Sequence, residues 1–326
     1  MESLLDGLVV KEQSGFFWVE LADERIYRCR LRGRLLEEAQ SSDIAAIGDR
    51  VQISILENDE SGDIGVIESV AERDSVLSRA ARTVGNRGAG EAEREHVIIA
   101  NADVIFFVFA AAEPAPNLHM LDRMLVAGEV SGIDELVIVV NKVDLEDPTN
   151  IDARFGPYIQ MGYTVLQTSA RDGRGVDAVQ AMLRGKISAF TGPSGVGKTS
   201  LLNCIQPDLG REVKQVSKTT QEGVHTTRDS ALIKLDPSVY SDSTYLADTP
   251  GMRYLNIYDV EPEELDGYYR DIATHVDSCR FSDCTHVNEP GCAVRRAVEK
   301  GEISKKRYKS YRKLRAELEL ALAEQY

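Results

Sequence analysis

No stretch of this chain is apolar for the roughly 20 residues that a membrane-spanning helix needs. The longest apolar run, VIFFVFAAA at 104–112, suits a buried strand and its exit. Cysteine is scarce, with five in 326 residues, and the opening MESLLDGLVV lacks the basic flank and long apolar core of a signal peptide. A cytoplasmic chain with reduced thiols is therefore expected. Positive charge is also in short supply: 38 Lys and Arg against 53 Asp and Glu leave a net charge of −15, which argues against indiscriminate nucleic-acid binding. The balance is uneven, however. Residues 295–315 hold ten basic residues and two Glu, a local +8, so an RNA partner that meets this segment stays open. Apolar residues make up 43% of a chain long enough for two or three folded domains.

Three patterns divide the chain. Residues 1–76 hold short β-rich runs, FFWVEL (16–21), RIYRCRL (25–31), DRVQISIL (49–56) and IGVIESV (64–70), bounded by Gly, Asp, Asn and Ser. Their spacing suggests a small barrel, about the size of the five-stranded OB barrels that often bind nucleic acid. Arg28, Arg30, Arg32 and Arg34 recur at every second residue, so strand alternation puts them on one face, either as a solvated exterior or as a phosphate-contacting stripe. Residues 77–96 are rich in Gly, Ala and charge and read as a flexible linker. From 97 to 256, apolar strands alternate with helical stretches, which implies a mostly parallel α/β sheet covered on both faces. Residues 257–326 carry three cysteines and then a basic helix.

The α/β segment carries the chemistry. GPSGVGKTS supplies Gly192, Pro193, Ser194, Gly195, Val196, Gly197, Lys198, Thr199 and Ser200, the phosphate-loop pattern GxxxxGK[ST], between a strand and a helix. Backbone N–H groups there face phosphate oxygens, Lys198 reaches the β- and γ-phosphates, and the Thr199 hydroxyl is placed to ligate Mg²⁺. Downstream, DTPG offers Asp248 to the metal's surroundings and the Gly251 N–H to the γ-phosphate. Upstream, NKVD places Asn141, Lys142, Val143 and Asp144 at a strand end. The Asp144 carboxylate can accept two hydrogen bonds from guanine, a donor pair that adenine lacks. In QTSAR, Ser169 and Ala170 match a second base-contacting motif, the Ala170 N–H being directed at guanine O6.

The base motifs thus precede the phosphate loop, whereas in ordinary GTPases the phosphate motifs come first. Because domain termini often lie close together, the same sheet can be built with the chain cut elsewhere. The reading is a circularly permuted GTPase domain. Its last motif runs directly towards the C-terminal segment, so switch motion is expected to reach that segment.

The order NKVD, TSA, GPSGVGKTS, GVHTTR, DTPG, with IIANADVIFFVFA and DRMLV ahead of it, resembles the circularly permuted, ribosome small-subunit-dependent GTPases of bacteria across essentially the whole chain. The resemblance implies an OB barrel, a permuted GTPase domain and a zinc-bearing, mostly helical C-terminal domain. It implies late maturation of the small ribosomal subunit, with GTP hydrolysis stimulated by that subunit. The expected partners are the subunit and its rRNA, with no DNA or membrane partner, for a chain acting as a monomer.

Between the phosphate loop and DTPG, Thr226 or Thr227 is expected to bind Mg²⁺ and γ-phosphate. Met252 stands where many GTPases place a water-orienting Gln, so His225 is the candidate for that role, against a structural or RNA-facing histidine. Cys279, Cys284, His286 and Cys292 form a C-x₄-C-x-H-x₅-C pattern, fit for one closed structural zinc site; free thiols or a disulfide are the competing readings. His275 is a lesser candidate ligand, and Cys29 and Cys204 read as core residues. Tyr308, Tyr311, Leu314, Leu318 and Ala321 fall at helical spacing with Lys and Arg on the other face, which is either solvated or in contact with RNA phosphates. Three rival functions remain: a small-molecule kinase, against which the guanine motifs argue, an RNA-binding scaffold that holds GTP with little turnover, and a GTPase acting on another RNP or on a membrane, the membrane version being opposed by the absent membrane segment and the zinc–basic tail.

Overall fold

Strand β1 (Leu5–Gln13), which the sequence pattern does not announce, opens a computed structural model that describes residues 4–38, 43–56, 63–82, 93–210, 213, 230–240, 243–248 and 260–323. It is followed by β2 (Phe16–Leu21), β3 (Ile26–Leu31), α1 (Gly33–Glu38), β4 (Arg50–Ile55) and β5 (Ile64–Val70). The strands run β1-β2-β3-β5-β4, and β4 pairs back onto β1 to close the ring. Only β3 and β5 pair in parallel, so this is the five-stranded OB barrel. Alternation fills its interior with Val9, Val19, Tyr27, Cys29, Val51, Ile53 and Ile67.

The arginine stripe divides. Arg28 and Arg30 are exposed and lie 5.0 and 4.5 Å over the ring of Phe16. Arg32 pairs with Glu68 at 2.5 Å, and Arg34 donates to the Glu68 carbonyl at 3.1 Å.

The expected linker is strand at both ends. β6 (Val76–Arg82) and β7 (Glu93–Ala100) pair antiparallel, from Val76 opposite Ala100 to Arg82 opposite Glu93. Leu77 and Ile99 anchor this ribbon in the main core, and the glycines that suggested a linker, Gly85, Gly88 and Gly90, all fall between the two strands in sequence. Residues 83–92 lie outside the described ones.

The central sheet contains β8 (Val104–Ala110), β9 (Glu135–Asn141), β10 (Thr164–Gln167), β11 (Ile187–Thr191), β12 (Ser230–Lys234) and β13 (Tyr245–Asp248). Its order is β10-β9-β8-β11-β13-β12, parallel throughout except for β12. Every residue of β8 is buried, as expected for a central strand covered on both faces. Helices α2 (Leu118–Val130) and α3 (Pro148–Gln160) cover one face through Leu121, Leu125, Ile151 and Phe155. Helices α4 (Val176–Leu183) and α5 (Lys198–Ile205) cover the other through Val179, Leu183, Leu201 and Leu202. The outer edge of β12 pairs with the barrel's β1, Lys11 opposite Ala231 and Glu12 opposite Ser230, so barrel and sheet are continuous.

Helices α6 (Arg270–Val276), α7 (Ala293–Lys300) and α8 (Lys305–Ala323) form the C-terminal part. Its core of Leu265, Tyr269, Ile272, Val294, Tyr311 and Leu314 also takes in Val126 of α2, so these helices dock on the nucleotide domain. Two expectations change here. Arg307 and Arg315 of α8 face inward and are buried beside Tyr311 and Leu314, while Ala321 is exposed. Cys29 is buried as expected, but Cys204 is exposed and its thiol donates to the Ala170 carbonyl at 3.2 Å.

Candidate functional site

Three loops meet at the C-terminal ends of β9, β10 and β11, the end of an open parallel sheet where ligands bind. Asn141, the last residue of β9 and 1% exposed, joins them. Its side-chain N–H₂ donates to the Val196 carbonyl in the phosphate loop at 2.9 Å. Its carbonyl oxygen accepts from the Thr168 hydroxyl and the Ala170 N–H, each at 3.2 Å. One amide therefore fixes NKVD, TSA and the phosphate loop relative to one another.

Asp144 follows in a short 3₁₀ turn, Val143–Leu145. Its Oδ1 accepts from the Ser169 hydroxyl at 2.8 Å, and Arg171 lies 3.8 Å from Oδ2. The Arg171 guanidinium is thus paired with the second oxygen by charge, at a distance longer than a hydrogen bond. Lys142 adopts a left-handed conformation, φ 62°, and its ammonium donates to the Glu113 carbonyl. Its stem runs past the phosphate loop: a Cβ on Gly197 would lie 3.7 Å from Lys142 Cε and only 2.5 Å from Asn141 Nδ2. Gly197 has φ +90°, so it is glycine for two reasons, backbone conformation and close approach. Gly192 is similar, with φ +146° and a hypothetical Cβ 2.1 Å from the Val108 carbonyl.

Lys198 opens α5 and folds its ammonium onto the carbonyls of Gly192 and Pro193, at 2.5 and 2.7 Å. A cation held at the mouth of a backbone nest is an anion site. Pro193, Ser194, Gly195, Val196, Thr199 and Ser200 complete the loop and first turn at that mouth. Asp248 ends β13 opposite Ala231, beside the strand that leads into the loop. His225, Thr226, Thr227, Gly251 and Met252 lie outside the described residues.

A second cluster lies in the C-terminal part. The ligand atoms of Cys279, Cys284, His286 and Cys292 all lie within 4.8 Å of one another. The Cys279 and Cys292 sulfurs are 4.0 Å apart, and each is 3.5 Å from His286 Nδ1. A tetrahedral zinc, with bonds of about 2.3 Å to sulfur and about 2.0 Å to nitrogen, needs edges of about 3.8 and 3.5 Å. The donor set fits that metal. His286 is fully buried, and its Nε2 pairs with Asp266 at 2.9 Å, which turns Nδ1 toward the thiols. The N–H groups of Ala293 and Arg295 donate to the Cys279 and Cys292 sulfurs at 3.3 and 3.4 Å. Burial pushes the Cys279 thiol up, but the backbone N–H groups of Ala293 and Val294 together with Cys284 and His286 outweigh it and hold the thiol below its ordinary range. His275 stands apart, 4.0 Å from Glu302.

Sequence reasoning passes over Asp266, Thr168 and Glu113. Thr168 sits inside the quoted QTSAR motif and was within reach, whereas Asp266 and Glu113 belong to no motif.

A sheet that delivers its guanine loop before its phosphate loop, behind a closed five-stranded barrel, defines a circularly permuted P-loop GTPase. The comparisons with known proteins give the particular group: the chain belongs to the RsgA GTPase family. The family model of that description matches residues 70–258, and the RsgA N-terminal domain matches residues 6–64. The chain is 36% identical over 311 residues to the small ribosomal subunit biogenesis GTPase RsgA of Chlorobaculum tepidum, covering 95% of this chain and 97% of that protein. Against the protein of the same description from Moorella thermoacetica it is 39% identical over 315 residues, covering 96% and 97%. The crystal structure of YjeQ from Thermotoga maritima superposes with a TM-score of 0.73 at 34% identity, covering 97% of this chain and 99% of that one. That of YloQ, described as a circularly permuted GTPase, gives 0.71 at 29%, covering 97% and 96%.

Proposed function

We propose that this GTPase binds the small ribosomal subunit and its rRNA and acts in the subunit's late maturation, with hydrolysis stimulated by the subunit. The relatives named for small-subunit biogenesis support the setting. The observation that carries the nucleotide chemistry is the Asn141 junction, which holds the base loop against the phosphate loop.

In this reading Asp144 takes the guanine N1–H and 2-amino donors while Ser169 orients it, and the Ala170 N–H serves O6. Asn141 braces the base loops, the Lys142 stem covers the base, and Val143 anchors the turn. Lys198 leaves the loop carbonyls for the β- and γ-phosphate oxygens. Mg²⁺, held by Thr199 and one of Thr226 and Thr227, with Asp248 near it, would offset charge on the phosphates. His225 orients the attacking water in place of the missing glutamine, and Gly251 senses the γ-phosphate. Zinc on Cys279, Cys284, His286 and Cys292 is structural, since three thiolates and one imidazole leave no open position.

We assign the barrel to residues 1–76, the nucleotide domain to 97–256 and the zinc-bearing domain to 257–326. Arg28 and Arg30 of the barrel and the exposed Lys and Arg of α8 are the RNA-facing charges. The chain is assigned as a cytoplasmic monomer; among the described residues no helix is long and apolar enough to cross a membrane.

Asp144→Asn tests the base site. The amide presents a donor where guanine also presents one, so GTP is rejected and xanthosine triphosphate accepted; unchanged GTP affinity sinks the assignment. His225→Ala should keep GTP binding and lose subunit-stimulated hydrolysis. Turnover measured with and without small subunits separates the enzyme from a GTP-holding scaffold.

A further inference from the structure

The barrel does not hang from the nucleotide domain by its connecting chain alone. It is hydrogen-bonded to β12, whose first residue, Ser230, lies three positions after Thr227 in sequence. The other edge of β12 pairs with β13, Ala231 opposite Asp248, and β13 leads directly into DTPG. The two strands that lie between the switch segments in sequence are therefore the two sheet strands nearest the barrel.

At the far end of β12 the junction is ionic. Lys234 Nζ lies 2.8 Å from Glu20 Oε1 and 3.0 Å from Glu24 Oε1, both on the barrel. The other Glu20 oxygen accepts from the Tyr245 hydroxyl of β13 at 3.0 Å. One barrel carboxylate thus holds both strands at once. The Glu20 side chain is only 10% exposed and that of Lys234 28%, so the pair is sheltered from solvent screening. Beside it a cavity of 840 Å³ opens between barrel and sheet, lined by Leu8, Glu20, Arg50, Asp103, Lys234 and Tyr245. The ion pair bridges that gap, beside a core in which Val10 and Ile47 share one cluster with Leu232 and Tyr245.

We propose that Lys234 is a positioning residue for GTP hydrolysis: through Glu20 and Glu24 it sets β12 and β13 against the barrel, and so couples the barrel's orientation to the switch segments. This rests on the placement of the switch threonines and DTPG in the reading above. It reaches further in saying that the barrel, paired to the strand that follows the switch threonines in sequence, is the part that feels the nucleotide state. A partner that turns the barrel would then alter turnover without touching the nucleotide.

The test uses the full-length chain with Lys234→Met, Lys234→Arg and Glu20→Gln. GTP affinity, single-turnover hydrolysis and amide hydrogen exchange at residues 10–13 are measured with GDP and with a non-hydrolysable GTP analogue. Lys234→Met and Glu20→Gln should slow hydrolysis at least fivefold, with GTP affinity held within twofold. Lys234→Arg should restore most of the rate. In the unsubstituted chain, exchange at 10–13 should differ between the two nucleotides, and Lys234→Met should erase the difference. Unchanged hydrolysis in both Lys234→Met and Glu20→Gln overturns the proposal. So does a parallel loss of affinity and rate, or exchange at 10–13 that ignores the nucleotide in the unsubstituted chain. Failure of the underlying reading shows elsewhere, as hydrolysis that both Thr226→Ala and Thr227→Ala leave unchanged.

Discussion

Replacing Arg307 with methionine is expected to weaken the docking of the C-terminal helices by about 3–5 kcal/mol, the usual cost of removing one partner from a buried ion pair. Arg307 is 3% exposed, and its guanidinium pairs with Asp122 of α2 and, through Nε at 3.3 Å, with Asp271 of α6. It also stacks 4.2 Å from the centre of the Tyr269 ring. Asp122 is 2% exposed and accepts a further bond from the Tyr158 hydroxyl at 2.7 Å. Burial pushes its carboxyl up, and Arg307 is the neighbour that opposes this most strongly. Without the guanidinium, two carboxylates face each other in a dry joint. The magnitude follows from the uncompensated charge rather than from the lost bonds. Asp122→Asn together with Arg307→Met should therefore cost at least about 2 kcal/mol less than the two single changes summed, a coupling in the range for contacting residues. Urea unfolding gives the totals. Hydrogen exchange at 270–276 and 293–300 localises them, because a chain with several cores need not unfold in one step. An Arg307→Met protein within about 1 kcal/mol of the unsubstituted chain, or strictly additive costs, would refute the argument.

Three further outcomes are expected. Gly197→Ala should raise the Kd for GDP at least tenfold, about 1.4 kcal/mol, since the new Cβ would displace the Asn141 amide 2.5 Å away; unchanged affinity would remove that contact from the site. Burial pushes the Glu68 carboxyl up, but the Ser54 hydroxyl, Arg32 and Arg34 together outweigh it and hold the group below its ordinary 4.5. A carboxyl depressed in the fold stabilises fully above its unfolded value and loses that contribution as pH falls through its folded one. Glu68→Gln should therefore flatten the loss of barrel stability below about pH 4.5, measured by thermal unfolding across pH. Asp266→Ala should weaken zinc affinity by about 10–100-fold, read by competition with a chromogenic chelator; equal affinity would leave Asp266 without a role at the cluster.

The parts of the molecule that the sequence made legible are those whose chemistry constrains residue type at short range. NKVD, TSA and the phosphate loop each sit within a few residues, and each lands at a strand end as read. The zinc pattern fits within 14 residues, and its four donor atoms converge. What stayed hidden depends on distant partners or irregular strands. β1 carries Asp6, Gly7, Lys11 and Glu12 and breaks register between Val9 and Lys11, so its alternation is too poor to read, although it closes the barrel and joins the sheet. Arg307 lies in a run of Lys and Arg that looks solvated; its inward turn depends on Asp122, 185 residues earlier. Cys204 has apolar neighbours, but Leu201, Leu202 and Ile205 take the inward face of α5 and leave the thiol outside. Asp266 meets His286 from 20 residues away.

The two appended parts attach at different places on the nucleotide domain, and that difference divides their roles. The C-terminal helices rest on α2, through Val126 and the Asp122–Arg307 pair, with Arg123–Glu317 at 2.5 Å and Arg270–Glu129 at 2.6 Å beside it. Helix α2 lies between β8 and β9, and β9 ends in the NKVD loop, which in the proposed reading meets the base and not the γ-phosphate. The barrel instead pairs with β12 and reaches β13 through Tyr245, the strands whose ends lead to the switch segments. The expectation that switch motion passes to the C-terminal part concerns residues 249–259, outside the described ones. The packing of α8 on α2 favours a fixed seat for that part, and the β1–β12 pairing gives the barrel the direct connection to the phosphate end. A signal of hydrolysis should accordingly be read first in barrel contacts and only afterwards, if at all, at the zinc cluster.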